Sequence, residues 1–299
     1  MTIRFGVSPI AWANDDMPEL GGDTPLESIL ADIRDVGFVG VELGGKFPRE
    51  APVLKPLLDR YGLDLVGGWF SGALLTHDVG DEIAAAAEHM ALLKAMDCKV
   101  FVHAETSNAI HGDRTKPLSA TPRLDAEGWK LFGDRLTRFA DYVQGEGIAF
   151  AYHHHLGTVV ERREDLEDFI RHTGEVVGLT LDTGHASLGG INSLKTIRDH
   201  PGRIAHVHCK DVRDTVFAKV RGEGLSFLDG VLAGMFTVPG DGVLDYADVM
   251  RALSDIDYSG WIIIEAEQDP ALADPKTYAK LGLSTLEREA AAAGLKKAA

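Results

Sequence analysis

Short apolar runs alternate with longer amphipathic ones along most of the chain. Eight short runs, rich in Val, Ile and Phe, lie at 3–8, 39–43, 63–67, 100–103, 148–153, 178–182, 203–208 and 261–265. Their length and composition predict strands. Helical spacing of apolar positions covers 24–36, 52–61, 83–96, 125–145, 164–172, 193–200, 246–257 and 276–293. The first of these opens on Thr24 and Pro25, a cap followed by a residue suited to the first helical turn. Gly37, Gly62, Gly147 and Gly178 stand where a helix gives way to the next strand.

Eight strands alternating with eight helices in 299 residues predict a (β/α)8 TIM barrel, one α/β domain spanning 1–299. A doubly wound open sheet is the runner-up. It is weakened because no G-x-G-x-x-G turn follows any strand. Residues 211–242, after the seventh strand, are long and Gly-rich for a connection and read as a loop at the rim of a site.

Charge narrows the partners. The 46 acidic and 30 basic residues leave a net charge of −16, which repels phosphate backbones and argues against nucleic acid. No apolar run approaches the roughly 18 residues of a membrane span. The opening MTIRFGVSPIAW has no basic stretch leading into a long apolar one, so no signal peptide is expected. Cys98 and Cys209 form no C-x-x-C pair, in keeping with a reducing cytoplasm. There is no G-x-S-x-G elbow and no phosphate-cradling Gly-rich loop with its lysine.

In a TIM barrel the chemistry sits at the C-terminal ends of the strands. Nearly every predicted strand turns polar there. Asp182, His208 and Glu265 end the sixth, seventh and eighth strands, and strand parity puts each on the face shared with Thr180, His206 and Ile263. Two carboxylates and an imidazole from neighbouring strands suit a divalent metal, Mn²⁺ or Co²⁺ as readily as Zn²⁺. A fourth ligand is expected near the fifth strand, from His153, His155 or Glu161. Lys210 keeps the inward parity of His208 and would pair with substrate or with Asp211.

These residues resemble a known family. Asp182-Thr-Gly-His185 and the metal set on the last strands are similar to xylose-isomerase-like barrels. The runs SPIAWANDDMPELGG at 8–22, ELGGKFP at 42–48, YHHHLGTVVE at 152–161 and EAEQDP at 265–270 resemble inosose dehydratases nearly end to end. The superfamily's usual Glu at the end of the fifth strand is replaced here by histidines. A Glu, Asp, His, Glu set would then be completed by Glu161.

The resemblance implies dehydration of scyllo-inosose to a trihydroxycyclohexane-1,2-dione in inositol catabolism, a lyase reaction on a small polyol ketone. A ketose or cyclitol epimerase or isomerase is the alternative. Histidines suit proton transfer near neutrality, so His154, His155 and His185, with Lys210, are the candidate acids and bases. Trp12 and Trp69 would stack on the ring. Asn14, Glu42, Lys46, His103 and Glu105 would reach its hydroxyls. No Arg/Lys cluster marks a phosphate pocket, so an unphosphorylated substrate is expected. Such barrels commonly form homo-oligomers, and no interface is legible in the residues.

Overall fold

The computed structural model describes residues 2–298. Nine parallel segments form the main sheet: β1 (Thr2–Val7), β2 (Gly40–Val41), β3 (Asp64–Leu65), β4 (Trp69–Gly72), β5 (Val100–Glu105), β6 (Ala149–His153), β7 (Gly178–Asp182), β8 (Ile204–Cys209) and, after the short antiparallel pair β9 (Asp211–Val212) and β10 (Phe236–Thr237), β11 (Gly260–Ile264). A last short strand, β12 (Lys296–Lys297), pairs with β1. The order around the sheet is β3-β2-β1-β11-β8-β7-β6-β5-β4.

The two ends of that order are consecutive in the chain. β3 pairs with β2, β4 pairs with β5, and only residues 66–68 separate them. The third barrel strand is thus divided between its two neighbours, and the sheet closes on itself as the expected (β/α)8 barrel. The sequence placed that strand at 63–67 and missed its continuation through Trp69–Gly72.

The helices are α1 (Leu26–Val36), α2 (Ala51–Asp59), α3 (Val79–Ala95), α4 (Ala126–Gly145), α5 (Arg163–His172), α6 (Thr183–Leu188), α7 (Ser193–Asp199), α8 (Asp214–Gly222), α9 (Phe227–Leu232), α10 (Tyr246–Asp255) and α11 (Pro275–Ala292). α8, α9, β9 and β10 lie where one long loop was expected. Asp211 organises this insertion: its buried carboxylate accepts the N–H groups of Val212, Gly240, Gly242 and Leu244. Gly37, Gly62 and Gly147 take positive φ behind their helices, whereas Gly178 opens β7. Among the described residues no helix is long and apolar enough to cross a membrane.

Strand parity sorts the side chains into two environments. Outward-facing Phe101, Phe150, Tyr152, Leu179, Leu181 and Val207 pack beneath the helices with Phe132, Phe139 and Phe169. Inside, Val100, Val102 and Ala151 make a small apolar layer. Gly40 leaves room for the Trp261 indole, whose carbons would lie 2.5 Å from a Cβ at that position. The N-terminal half of the barrel is therefore filled, and the polar strand ends above it border an open chamber.

Candidate metal centre and chamber

β6, β7, β8 and the residue after β11 bring His153, Asp182, His208 and Glu265 together, all buried, with one ligand-type atom of each within 4.8 Å of the others. His208 Nδ1 lies 2.7 Å from Glu265 Oε2, and His153 Nε2 lies 3.2 Å from His208 Nδ1. Asp182 caps α6 with Oδ1, which accepts the His185 N–H. Its other oxygen, Oδ2, is buried with no hydrogen-bond partner. That oxygen stands 3.8 Å from both His153 Nε2 and His208 Nδ1.

A buried carboxylate oxygen without a donor is costly. Here it faces two imidazole nitrogens and a second carboxylate, a donor set that fits a divalent cation, with the Lys210 ammonium 3.9 Å away. His153 Nδ1 donates to the carbonyl of His154 at 2.8 Å, which leaves Nε2 as the lone-pair nitrogen turned toward the cluster. Burial outweighs the Lys210 charge and raises the Asp182 carboxyl to about 6.

Glu161, expected to complete the set, lies outside it. Its Oε2 accepts the Gly157 N–H and the Thr121 hydroxyl, each at 2.7 Å, so the carboxylate ties two loops together. His153 takes the place beside Asp182.

Glu42, expected to touch substrate, reaches His206 Nε2 and His208 Nε2, both 3.0 Å from its Oε1. Burial works against its charge, but the two imidazoles hold the carboxyl down at about 2. Lys210 does not pair with Asp211. Its ammonium lies 2.6 Å from Glu265 Oε1 and 2.6 Å from Glu267 Oε1, with His185 Nε2 at 3.0 Å. Burial also raises the Glu267 carboxyl, to about 7, against the pull of Lys210.

Above this floor lies a chamber of about 630 Å³. Of the expected catalytic residues, only His155 lines it. Its Nδ1 donates to the Leu156 carbonyl at 2.7 Å, which leaves Nε2 as the acceptor nitrogen. His185 lies against the His155 ring, centroids 3.7 Å apart, and does not reach the chamber. His154 points elsewhere: it is buried with neither ring nitrogen bonded.

Asn14, Lys46 and Trp69 line the chamber. Asn14 Oδ1 accepts the N–H groups of Asp16 and Met17, and its buried Nδ2 has no partner. Lys46 is spent on the carbonyls of Gly22 and Thr24. Trp69 sets its ring edge-on to His153 and His155.

Trp12, His103 and Glu105 do not line the chamber. The Trp12 indole N–H donates to Asp32 at 3.2 Å within the helix–barrel core. His103 is bonded to the buried Glu82 carboxylate at 3.0 Å. Glu105 accepts from Ser107 and from the Leu75 N–H. Sequence reasoning missed Glu267, Asp16, Arg49 and His111 on the chamber wall. Glu267 shares the inward parity of Glu265, a signal that was available. The other three sit in irregular segments that have no period.

The fold and this cluster define a class. Residues 30–289 match the family model described as xylose isomerase-like TIM barrel. A solved L-ribulose 3-epimerase superimposes with a TM-score of 0.68 at 17% identity, over 98% of this chain and 96% of its own. Among curated proteins, the rhizopine catabolism protein MocC of Rhizobium meliloti is 46% identical over 99% of this chain and 91% of its own length. The inosose dehydratase of Geobacillus thermodenitrificans is 42% identical over 93% and 94%. Within the xylose isomerase-like barrels, the chain belongs to the inosose dehydratase family.

Proposed function

We propose that the protein is a hydro-lyase that dehydrates scyllo-inosose, a cyclic polyol ketone, to a trihydroxycyclohexane-1,2-dione and water. The observation that carries this reading is the His153, Asp182, His208 and Glu265 cluster in the floor of a chamber lined by the acceptor nitrogen of His155. The relatives named inosose dehydratase supply the substrate.

Those four residues hold a divalent ion in this reading, Mn²⁺ or Co²⁺. When bound, it supplies Lewis-acid polarisation of a substrate carbonyl. Trp69 offers the C–H face of the ring an apolar wall. His155 Nε2 takes the proton α to the ketone, with the His185 ring holding the imidazole in place from behind. Lys210 acts on no substrate atom. It neutralises Glu265 and Glu267 and fixes the rotamer of each.

The test is a turnover assay of metal-stripped protein with scyllo-inosose, watching the ultraviolet absorbance of the enolised dione. Product with Mn²⁺ or Co²⁺ that disappears on chelation is expected. A folded, metal-loaded protein that makes none overturns the reading and turns attention to epimerisation of ketoses.

A further inference from the structure

Eliminating water needs two proton transfers on adjacent carbons, and the His155 nitrogen accounts for one. The chamber wall carries several other titratable groups, most of them already engaged. Glu42 is held by two histidines and Lys46 by two carbonyls. Asp15 accepts the Gly45 N–H with both oxygens. Glu267 is bound by Lys210 through Oε1, and its Oε2 is buried without a partner.

Asp16 and His111 have no such partner; Asp16 is exposed, whereas His111 sits beside His155. His111 lines the chamber, its ring lies edge-on to His155 with centroids 5.0 Å apart, and its buried Nδ1 has no hydrogen-bond partner.

The fold builds this approach deliberately. The connection between β5 and α4 that carries His111 is pinned by Ile110, whose N–H donates to the Gly157 carbonyl at 2.8 Å. Gly157 has φ +79°, and a Cβ there would come 2.9 Å from the His111 backbone nitrogen and 3.1 Å from its Cα. Further along, Leu118 N–H donates to the Leu225 carbonyl, and Arg114 pairs with Asp229 at 2.7 Å. Thr121 reaches Glu161. The connection, whose one regular element is the 3-10 turn Leu118–Ala120, is thus fastened at four points, with the Trp69 and Phe227 rings both edge-on to the imidazole.

We infer that His111 is the general acid of the dehydration, giving its proton to the departing β-hydroxyl while His155 removes the α-proton. This rests on the dehydratase reading. The C–H electron pair becomes the enolate double bond and then expels the β-oxygen. That oxygen leaves as water with the His111 proton, and the proton held by His155 returns to His111 through solvent, so no oxidant or reductant is needed.

The test uses metal-loaded protein, His111→Gln and His111→Phe, and two readouts: α-deuterium exchange of scyllo-inosose in D₂O, and dehydration. His111→Phe keeps the packing against Trp69 and Phe227 and removes both nitrogens. Both variants are expected to keep metal content and to exchange at near wild-type rate. Dehydration falls about 10²- to 10⁴-fold in each. With an analogue carrying fluorine in place of the β-hydroxyl, whose leaving group needs no proton, the variants recover the wild-type rate. Variants that dehydrate normally, lose exchange as well, or stay slow on the fluoro analogue overturn the assignment. If wild-type protein itself neither exchanges nor dehydrates, the dehydratase reading falls, not the placement of His111.

Discussion

The Glu42 carboxylate and His208 Nε2 lie 3.0 Å apart across the barrel although 166 positions separate them in the chain. His208 turns its other nitrogen, Nδ1, toward Asp182 and Glu265. Glu42 therefore fixes the ring orientation and keeps a proton on Nε2, the carboxylate–histidine arrangement that supports metal ligands. Glu42→Gln should weaken Mn²⁺ binding about 10- to 100-fold, with turnover restored at saturating metal. A competition titration against a chelator measures this. A changed KM with unchanged metal affinity would instead return Glu42 to the substrate.

Asp182→Asn keeps the α6 cap through its side-chain oxygen and removes the charge on the unpartnered Oδ2. Metal content by mass spectrometry should fall to a small fraction of wild type, with activity lost. The metal-free variant should melt no lower than metal-free wild type, because burial of the Asp182 charge outweighs the attraction of Lys210 at 3.9 Å. A lower melting point would mean that the charge serves folding without the ion.

Lys210→Met should be among the most damaging single changes. It leaves Glu265 and Glu267 facing each other in a buried site, and breaking such a set costs about 3–5 kcal/mol. Urea unfolding of the variant and of Lys210→Met/Glu267→Gln separates pairing from packing. The double variant should recover part of the loss.

His89 on α3 packs against both Phe70 and Phe101, its Nε2 buried without a partner, and burial lowers its pKa to about 4. The unfolded value is near 6.5. The unfolded chain therefore binds the extra proton first, and stability present above pH 6.5 is lost as pH falls toward 4. Urea midpoints across that window should decline in wild type and decline less steeply in His89→Phe. Equal slopes would exclude His89 as a source of acid sensitivity.

The barrel was legible because alternation of strand and helix is a local property, repeated eight times. Parity alone brought Asp182, His208 and Glu265 to one place. It also gave His153 the same face, but a preference for a carboxylate favoured Glu161, whose oxygen is occupied by the Gly157 N–H and Thr121. Contacts of that kind depend on how a turn folds back and leave no spacing to read. Trp12 shows the opposite error. A tryptophan in a long shared motif suggested a stacking platform, yet its N–H anchors α1 through Asp32. His103 was misplaced for a simpler reason, since alternate residues on β5 face opposite sides and Val102, not His103, borders the chamber.

The divided third strand gives the ring a seam at 66–68. On one side the chamber wall is Leu43, Gly44 and Gly45, beyond the end of β2; on the other it is Trp69 and Ser71, on β4. A ring-shaped ligand held between them would span the seam as a rivet spans a joint. Substrate binding would then tighten the hoop itself, and slow amide exchange in β3 and β4 would report occupancy of the chamber from its outer wall.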